Sequence, residues 1–328
     1  MADVGTRYLG LELSSPLLLA SSSISNRLDG LQAAEAYGAG AVVLRSLFEE
    51  QIEGAQTVLD EALSRGAESS PEARTYFPPQ RVGPHDYLTL IERAKATLRI
   101  PVIASLNCAD AGSWSDYARD IERAGADALE LNIYAVEADP TLTSEEIEWR
   151  HVLIVESIRA AVKLPIAVKL SPWYTSVANV AARMVAAGAQ GIVLFNRFVQ
   201  PDLSVDKLAP LVGLNLSTPA EALLPLRWVG LLHGRIDADL AASGGVHDAQ
   251  GAAKMLLAGA TVVQLASALM RNGVAHLGRV RSGLEDWMDK RGFATLDDFR
   301  GSLSQRQVQD PSAWERAQYV QLILSQNT

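Results

Sequence analysis

Four times along this chain a helical stretch closes on Gly-Ala and an apolar run begins within a residue or two: YGAGAVVLRS from Tyr37, AGADALELNI from Ala124, AGAQGIVLFN from Ala187 and AGATVVQLAS from Ala258. Glycine suits the left-handed residue that closes a helix, and the short apolar run after it has the composition of a strand buried on both faces of a parallel sheet. Two further strands are opened by proline, IPVIASLN from Ile100 and LPIAVKLS from Leu164. Proline stops the preceding helix and is tolerated as the first residue of a strand. Adding PLLLASS from Pro16 and ADLAASGG from Ala238 gives eight strands with helical patterns between most of them, the count that closes a barrel. The expected class is α/β, a single (β/α)8 TIM barrel. A chain of 328 residues with 48% hydrophobic content can bury one core of that size, so residues 1–328 read as one domain.

Helix punctuation agrees. Thr143 with Glu146 and Ser113 with Asp116 have the three-residue spacing of a capping box. Two stretches interrupt the rhythm, Leu47 to Pro84 and Phe198 to Gly234, and both read as long loops over the C-terminal mouth of the barrel. From about residue 272 the chain turns charged and helical, in LGRVRSGLEDWMDKRG and SAWERAQYVQLILSQ, which predicts extra C-terminal helices forming a cap.

The net charge of −9 opposes a nucleic-acid or anionic-membrane surface, because both require clustered Lys and Arg, and favours a small-molecule substrate. Cys108 stands alone, which excludes an internal disulfide framework and a four-cysteine iron–sulfur site and fits a reducing compartment. No basic segment precedes an apolar run near Met1 and no eighteen consecutive residues are apolar, so the expectation is a cytoplasmic chain without a membrane span. No cluster of His, Cys and carboxylates has metal-ligand spacing.

In such barrels chemistry sits where the strands end. Lys169 comes late in the apolar run PIAVKLS, where a cation is costly to bury unless something negative or electron-rich receives it. It reads either as a chemical residue or as the partner of a strand-end carboxylate such as Glu130. The run SGGVHDAQ joins a strand to a helix through Gly244 and Gly245, whose backbone amides can approach a phosphate, and Ala266 with Ser267 offers further amides after the eighth strand. Asn107, Asn132 and Asn196 each finish an apolar strand with an amide that donates and accepts, which suits the polar edge of a flavin or a pyrimidine-like ring. His151 falls on the stripe Ile147, His151, Ile154 and Ile158 and reads as a packed histidine; His85 reads as solvated surface, and Cys108 takes no role.

Together these residues resemble the dihydroorotate dehydrogenase family over nearly the whole chain. GLELSSPLLLAS is similar to the family's opening, ALELNI to its E-x-N strand, PIAVKLSP to its flavin-lysine strand, and SGGV followed by GATVVQLASAL to its FMN phosphate motif. The resemblance implies FMN as cofactor, with Ala20 and Ser21 lining the flavin, Asn107 and Asn132 on its ring or ribityl chain, and Lys169 at its electron-poor end. Arg45 and Ser46 flank it, Gly244, Gly245, Ala266 and Ser267 hold its phosphate, and Asn196 reaches the substrate. It implies oxidation of dihydroorotate or a related cyclic substrate by hydride transfer, within pyrimidine biosynthesis, by a homodimer that passes electrons to an acceptor such as a redox partner protein.

Three departures stand out. The family's loop after the Asn132 strand carries a Cys or Ser base, whereas NIYAVEADP has neither between Asn132 and Pro140; Tyr134, Glu137 and Asp139 are the nearby ionisable groups, and Tyr134 is assigned the catalytic role beside Lys169. Arg45 stands where the family usually has lysine, and YFPPQRVGPHDYL matches its family segment only from Gly83 onward. Two other readings stay open: a Schiff-base lyase or aldolase using Lys169, and a catalytically silent flavin-binding subunit.

Overall fold

The structure, a computed structural model, describes residues 2–48, 84–108, 114–133, 136–197, 200–211, 215–315 and 317–325. Most of the expected loop from Leu47 to Pro84, the Ser113 cap and Tyr134 lie outside the described residues, as does the side chain of Cys108.

Eight parallel strands form the frame: β1 (Leu17–Leu19), β2 (Ala41–Val43), β3 (Val102–Cys108), β4 (Ala128–Ile133), β5 (Ile166–Leu170), β6 (Gly191–Leu194), β7 (Asp239–Ser243) and β8 (Val262–Leu265). Each pairs with the next, and β8 pairs back onto β1 with Val263 opposite Leu17 and Leu265 opposite Leu19, so the sheet closes. Between them run α1 (Leu28–Ala36), α2 (Pro84–Thr97), α3 (Trp114–Arg123), α4 (Ser144–Ala161), α5 (Val177–Ala186), α6 (Leu223–Leu232) and α7 (Ala249–Ala258). The expected (β/α)8 barrel is therefore present. All eight strands coincide with the apolar runs read from the sequence, and α4 begins at the Thr143–Glu146 capping box, both halves of which form.

Strand alternation divides the core in two. Leu17, Leu19, Val42, Leu129, Leu131, Val168 and Leu170 point outward into one apolar cluster with the helices. Leu18, Val43, Ile103, Ala128, Ala167, Val193, Ala241 and Val262 point inward and meet Tyr8, Leu9 and Leu13. Those three belong to an N-terminal hairpin, Thr6–Tyr8 paired antiparallel with Leu11–Leu13, which stoppers the lower end of the barrel. Its two-residue turn, Leu9-Gly10, has φ of 52° and 77°, the double positive φ that matches strand twist in a tight hairpin. The Leu9 amide donates to Asp239 Oδ2 at 2.7 Å and ties the stopper to the foot of β7. Burial first, and then the charges of Glu130 and Asp239, push the Tyr8 phenol well above its usual range, so the stopper stays neutral.

The expectation of an uninterrupted loop from Phe198 to Gly234 is corrected. A hairpin pairs Asp202–Ser204 with Ala209–Leu211, and α6 follows a 3-10 turn over Pro219–Ala222. Prolines hid this helix in the sequence. Pro219 follows the capping residue Thr218 and Pro225 lies in the first turn of α6, both positions where an amide donor is not required.

Beyond β8 come α8 (Ser267–Asn272), α9 (His276–Arg291) and α10 (Ala317–Ser325). Leu284 and Met288 of α9 join Ala253 and Leu256 of α7 in a third apolar cluster with Val4 and Phe299. Among the described residues no helix is long and apolar enough to cross a membrane.

Leu18 is fully enclosed in the inner layer, where the barrel wall cannot collapse around a void. Leu18→Ala should destabilise the fold by about 2–5 kcal/mol, read as a lower urea midpoint with an unchanged slope.

Candidate active site

Parallel register aligns the strand-end side chains. Asn107 of β3 pairs with Asn132 of β4, and Asn132 pairs with Lys169 of β5, all three on the inward-pointing alternation. One step lower Ser105 pairs with Glu130, and on β8 Gln264 lies beside Leu18. The inner wall thus changes character along the barrel axis: apolar at the foot, polar near the mouth.

Lys169, Glu130 and Gln264 are 7%, 1% and 2% exposed. The Lys169 ammonium donates to Glu130 Oε1 at 3.4 Å and to Gln264 Oε1 at 3.2 Å. The Gln264 amide donates to Glu130 Oε2 at 2.5 Å. The carboxylate partner weighed for Lys169 in the sequence is therefore real, and it coexists with a position at the mouth beside the asparagines.

Asn196 donates through Nδ2 to Asn132 Oδ1 at 2.8 Å, and its own amide donates to the Leu170 carbonyl at 2.8 Å, so the two asparagines are locked together. On the other side, the Ser46 amide donates to Ser21 Oγ at 2.9 Å and the Ser46 hydroxyl lies 2.8 Å from that of Ser105. Tyr87 of α2 accepts from the Ser105 amide at 2.8 Å. Ala20 is buried and donates its amide to the Leu265 carbonyl at 2.9 Å, bringing the first and last strand ends together. Arg45 is exposed at the rim.

Both glycines of SGGV have positive φ, 99° at Gly244 and 74° at Gly245, and their surroundings differ. A Cβ on Gly245 would collide with the backbone of Ala222, whereas one on Gly244 would meet no atom within 4 Å. Gly245 is thus needed for packing of the β7 turn against the start of α6, while Gly244 leaves its backbone open to an incoming group. At the same rim the Ser217 amide donates to Ser267 Oγ at 3.0 Å, and the Ser217 hydroxyl lies 3.3 Å from His247 Nε2. Burial first, and then the charge of Arg271, hold the His247 imidazole below its usual range.

Of the ionisable groups weighed as a base, Tyr134 lies outside the described residues. Asp139 accepts from the Thr141 amide and hydroxyl at 2.8 and 2.7 Å, bonds that hold its carboxyl below the usual range and make it a poor proton acceptor. Glu137 is paired with Arg150 at 2.9 Å. His151 is buried with Ile154 and Ile158, its Nδ1 3.1 Å from the Tyr174 hydroxyl, and is a packed residue as its stripe predicts; His85 is exposed.

Gln264, Ser105 and Ser217 were not singled out in the sequence. A signal existed for the first two, since each is a polar residue at an inward position of an otherwise apolar strand. Ser217 carried none, because its place depends on a loop folding back to the rim. Among the described residues no group of three or more His, Cys, Asp and Glu could hold a metal ion. The mouth can receive a planar ring with a donor-acceptor edge on its asparagines and an anionic tail at the Gly244 turn.

The family model described as Dihydroorotate dehydrogenase matches residues 4–288. A protein of Methanothermobacter thermautotrophicus named Dihydroorotate dehydrogenase B (NAD(+)), catalytic subunit, is 27% identical over 90% of this chain and 97% of its own length. Proteins of the same name from Thermoplasma acidophilum and Methanocella arvoryzae are 26% and 27% identical, over 92% and 89% of this chain and 99% and 95% of theirs.

Two outcomes follow from this geometry. Gly245→Ala should lower stability by at least about 2 kcal/mol, through both the left-handed backbone and the collision with Ala222, while Gly244→Ala should cost no more than about 1–2 kcal/mol; thermal melts of the pair would separate them. Burial lowers His151 from 6.5 to about 4. The unfolded chain therefore binds the extra proton between those values, and stability falls as pH drops through that window, by at most about 3 kcal/mol. Urea midpoints from pH 7 to 4 should fall less steeply for His151→Phe than for the wild type.

Proposed function

We propose that this chain, which belongs to the dihydroorotate dehydrogenase family, is an FMN-dependent oxidoreductase acting on a carbon–carbon single bond of dihydroorotate or a closely related cyclic substrate. The observation that carries the reading is the buried Lys169 beside Asn107 and Asn132, at the same end of the barrel as the open backbone of Gly244. That set fits FMN: the amides around Gly244, Gly245, Ala266 and Ser267 suit its phosphate, and Ala20, Ser21, Ser46, Asn107 and Asn132 suit its ring and ribityl chain, with Arg45 at the edge. FMN would supply the two-electron acceptor that no side chain offers.

The residues of this chain do the rest. Lys169 would hold its ammonium against the bound acceptor and so would stabilise negative charge on it, a contribution that grows where water is excluded. The Asn132–Asn196 pair, already bonded to each other, presents its remaining donors and acceptors to the substrate edge. Tyr134, two residues past Asn132, is the group we assign to take the substrate proton, acting as the phenolate after its own proton has passed to solvent, since Asp139 and Glu137 are held by Thr141 and Arg150. The same reading makes the chain a cytoplasmic homodimer that passes its electrons to a redox partner protein and works in pyrimidine biosynthesis, without nucleic acid or membrane. The Schiff-base and silent-subunit readings draw no support from the relatives, all named dehydrogenases.

Purified protein should bind FMN stoichiometrically, and anaerobic dihydroorotate should bleach the bound flavin. Lys169→Ala should slow bleaching by about 10²–10³-fold, and Tyr134→Phe should slow it by about 10²-fold at unchanged flavin content, both read by stopped-flow absorbance. A wild-type protein with no affinity for FMN would overturn the reading.

A further inference from the structure

Glu130 and Gln264 are not in the binding set just described, yet both are more enclosed than Lys169 and both terminate on its ammonium. The three groups close a ring: Lys169 donates to Glu130 Oε1 and to Gln264 Oε1, and Gln264 donates through Nε2 to Glu130 Oε2. Strands β4 and β8, which carry Glu130 and Gln264, are four strands apart in a closed barrel of eight, so the ring spans the lumen. The apolar inner layer borders it, with Leu18 opposite Gln264, Ala167 opposite Glu130 and Val193 opposite Lys169 in register.

In such surroundings a carboxylate is stabilised chiefly by the groups it touches, and its field is little screened. A paired Lys169 and Glu130 carry no net charge and act at a distance as a dipole. An unpaired ammonium would act with its full charge. Gln264 touches both partners and so fixes the direction of that dipole without adding charge.

We propose that Glu130 and Gln264 are positioning residues that set how much of the Lys169 charge reaches the flavin, and hence where the flavin's reduction equilibrium lies; this rests on the FMN reading above. Removing the negative charge at position 130 exposes the ammonium and favours the reduced, more negative flavin. Adding a negative charge at position 264 has the opposite effect. The two substitutions nearly preserve side-chain shape, and a merely structural role gives no reason for shifts of opposite sign.

The test is spectroelectrochemical titration of FMN-loaded wild type, Glu130→Gln and Gln264→Glu, with flavin content and thermal midpoint recorded for each. Glu130→Gln should shift the two-electron equilibrium about tenfold toward reduced flavin, ~30 mV more positive, and Gln264→Glu should shift it a similar amount the other way. Gln264→Leu, which keeps the charge balance, should fall between them and serves if either charged variant fails to fold. In that case the proposal stands only if the surviving charge variant differs from Gln264→Leu with the stated sign. Folded, FMN-loaded variants whose potentials match the wild type, or that all move in one direction, would overturn it while leaving the functional reading intact. A wild type that binds no FMN would overturn both.

Discussion

The mouth of this barrel depends on a charge balance made inside it. A lysine reaching into a lumen whose lower half is Leu18, Val43, Ile103 and Val193 has almost no solvent to share its charge with. Glu130 and Gln264 compensate it from the adjacent strand and from the far wall. The ring joins three strands beside the apolar filling, and Asn132, with Asn107 next to it, stands opposite Lys169 in register. Loss of one partner would leave another buried and unpaired, a far larger penalty than the worth of the contact itself.

The two faces of each strand divide the labour. Outward residues are uniformly apolar because helices cover them, and they hold the barrel closed whatever the chemistry inside. Inward residues change from apolar to polar along the axis, and the N-terminal hairpin lets them do so, since Tyr8, Leu9 and Leu13 seal the foot against water. With one end stoppered, ligand access is left to the rim, where Ser21, Ser46, Asn196 and the Gly244 turn converge.

That rim is held by bonds between segments distant in sequence. Ser217 reaches Ser267, and Gly245 packs against Ala222, so the β7 turn, the start of α6 and the start of α8 become one support. The adjacent Gly244 is left free to face an incoming group. Two consecutive glycines with the same sign of φ thus serve different purposes, one packing and one access.

Periodicity in the chain was enough to establish eight strands, their order and the closing of the barrel, because a strand buried on both faces must be apolar throughout and a helix feeding it must end sharply. Lys169, Asn107, Asn132 and the paired glycines were legible for the same reason: polar or flexible residues are conspicuous at the ends of apolar runs. Gln264 and the helix behind Pro219 were less so, since one reads as a lone polar residue and the other is masked by prolines lying where the helix tolerates them. Which side chains meet was decided only by closure. The contact between Lys169 and Gln264 joins residues 95 positions apart on strands that no local pattern relates. The differing roles of Gly244 and Gly245 arise from the backbone at Ala222, 23 residues before Gly245. A sequence shows which residues are unusual for their surroundings, but only the folded barrel supplies the partner that makes each one tolerable.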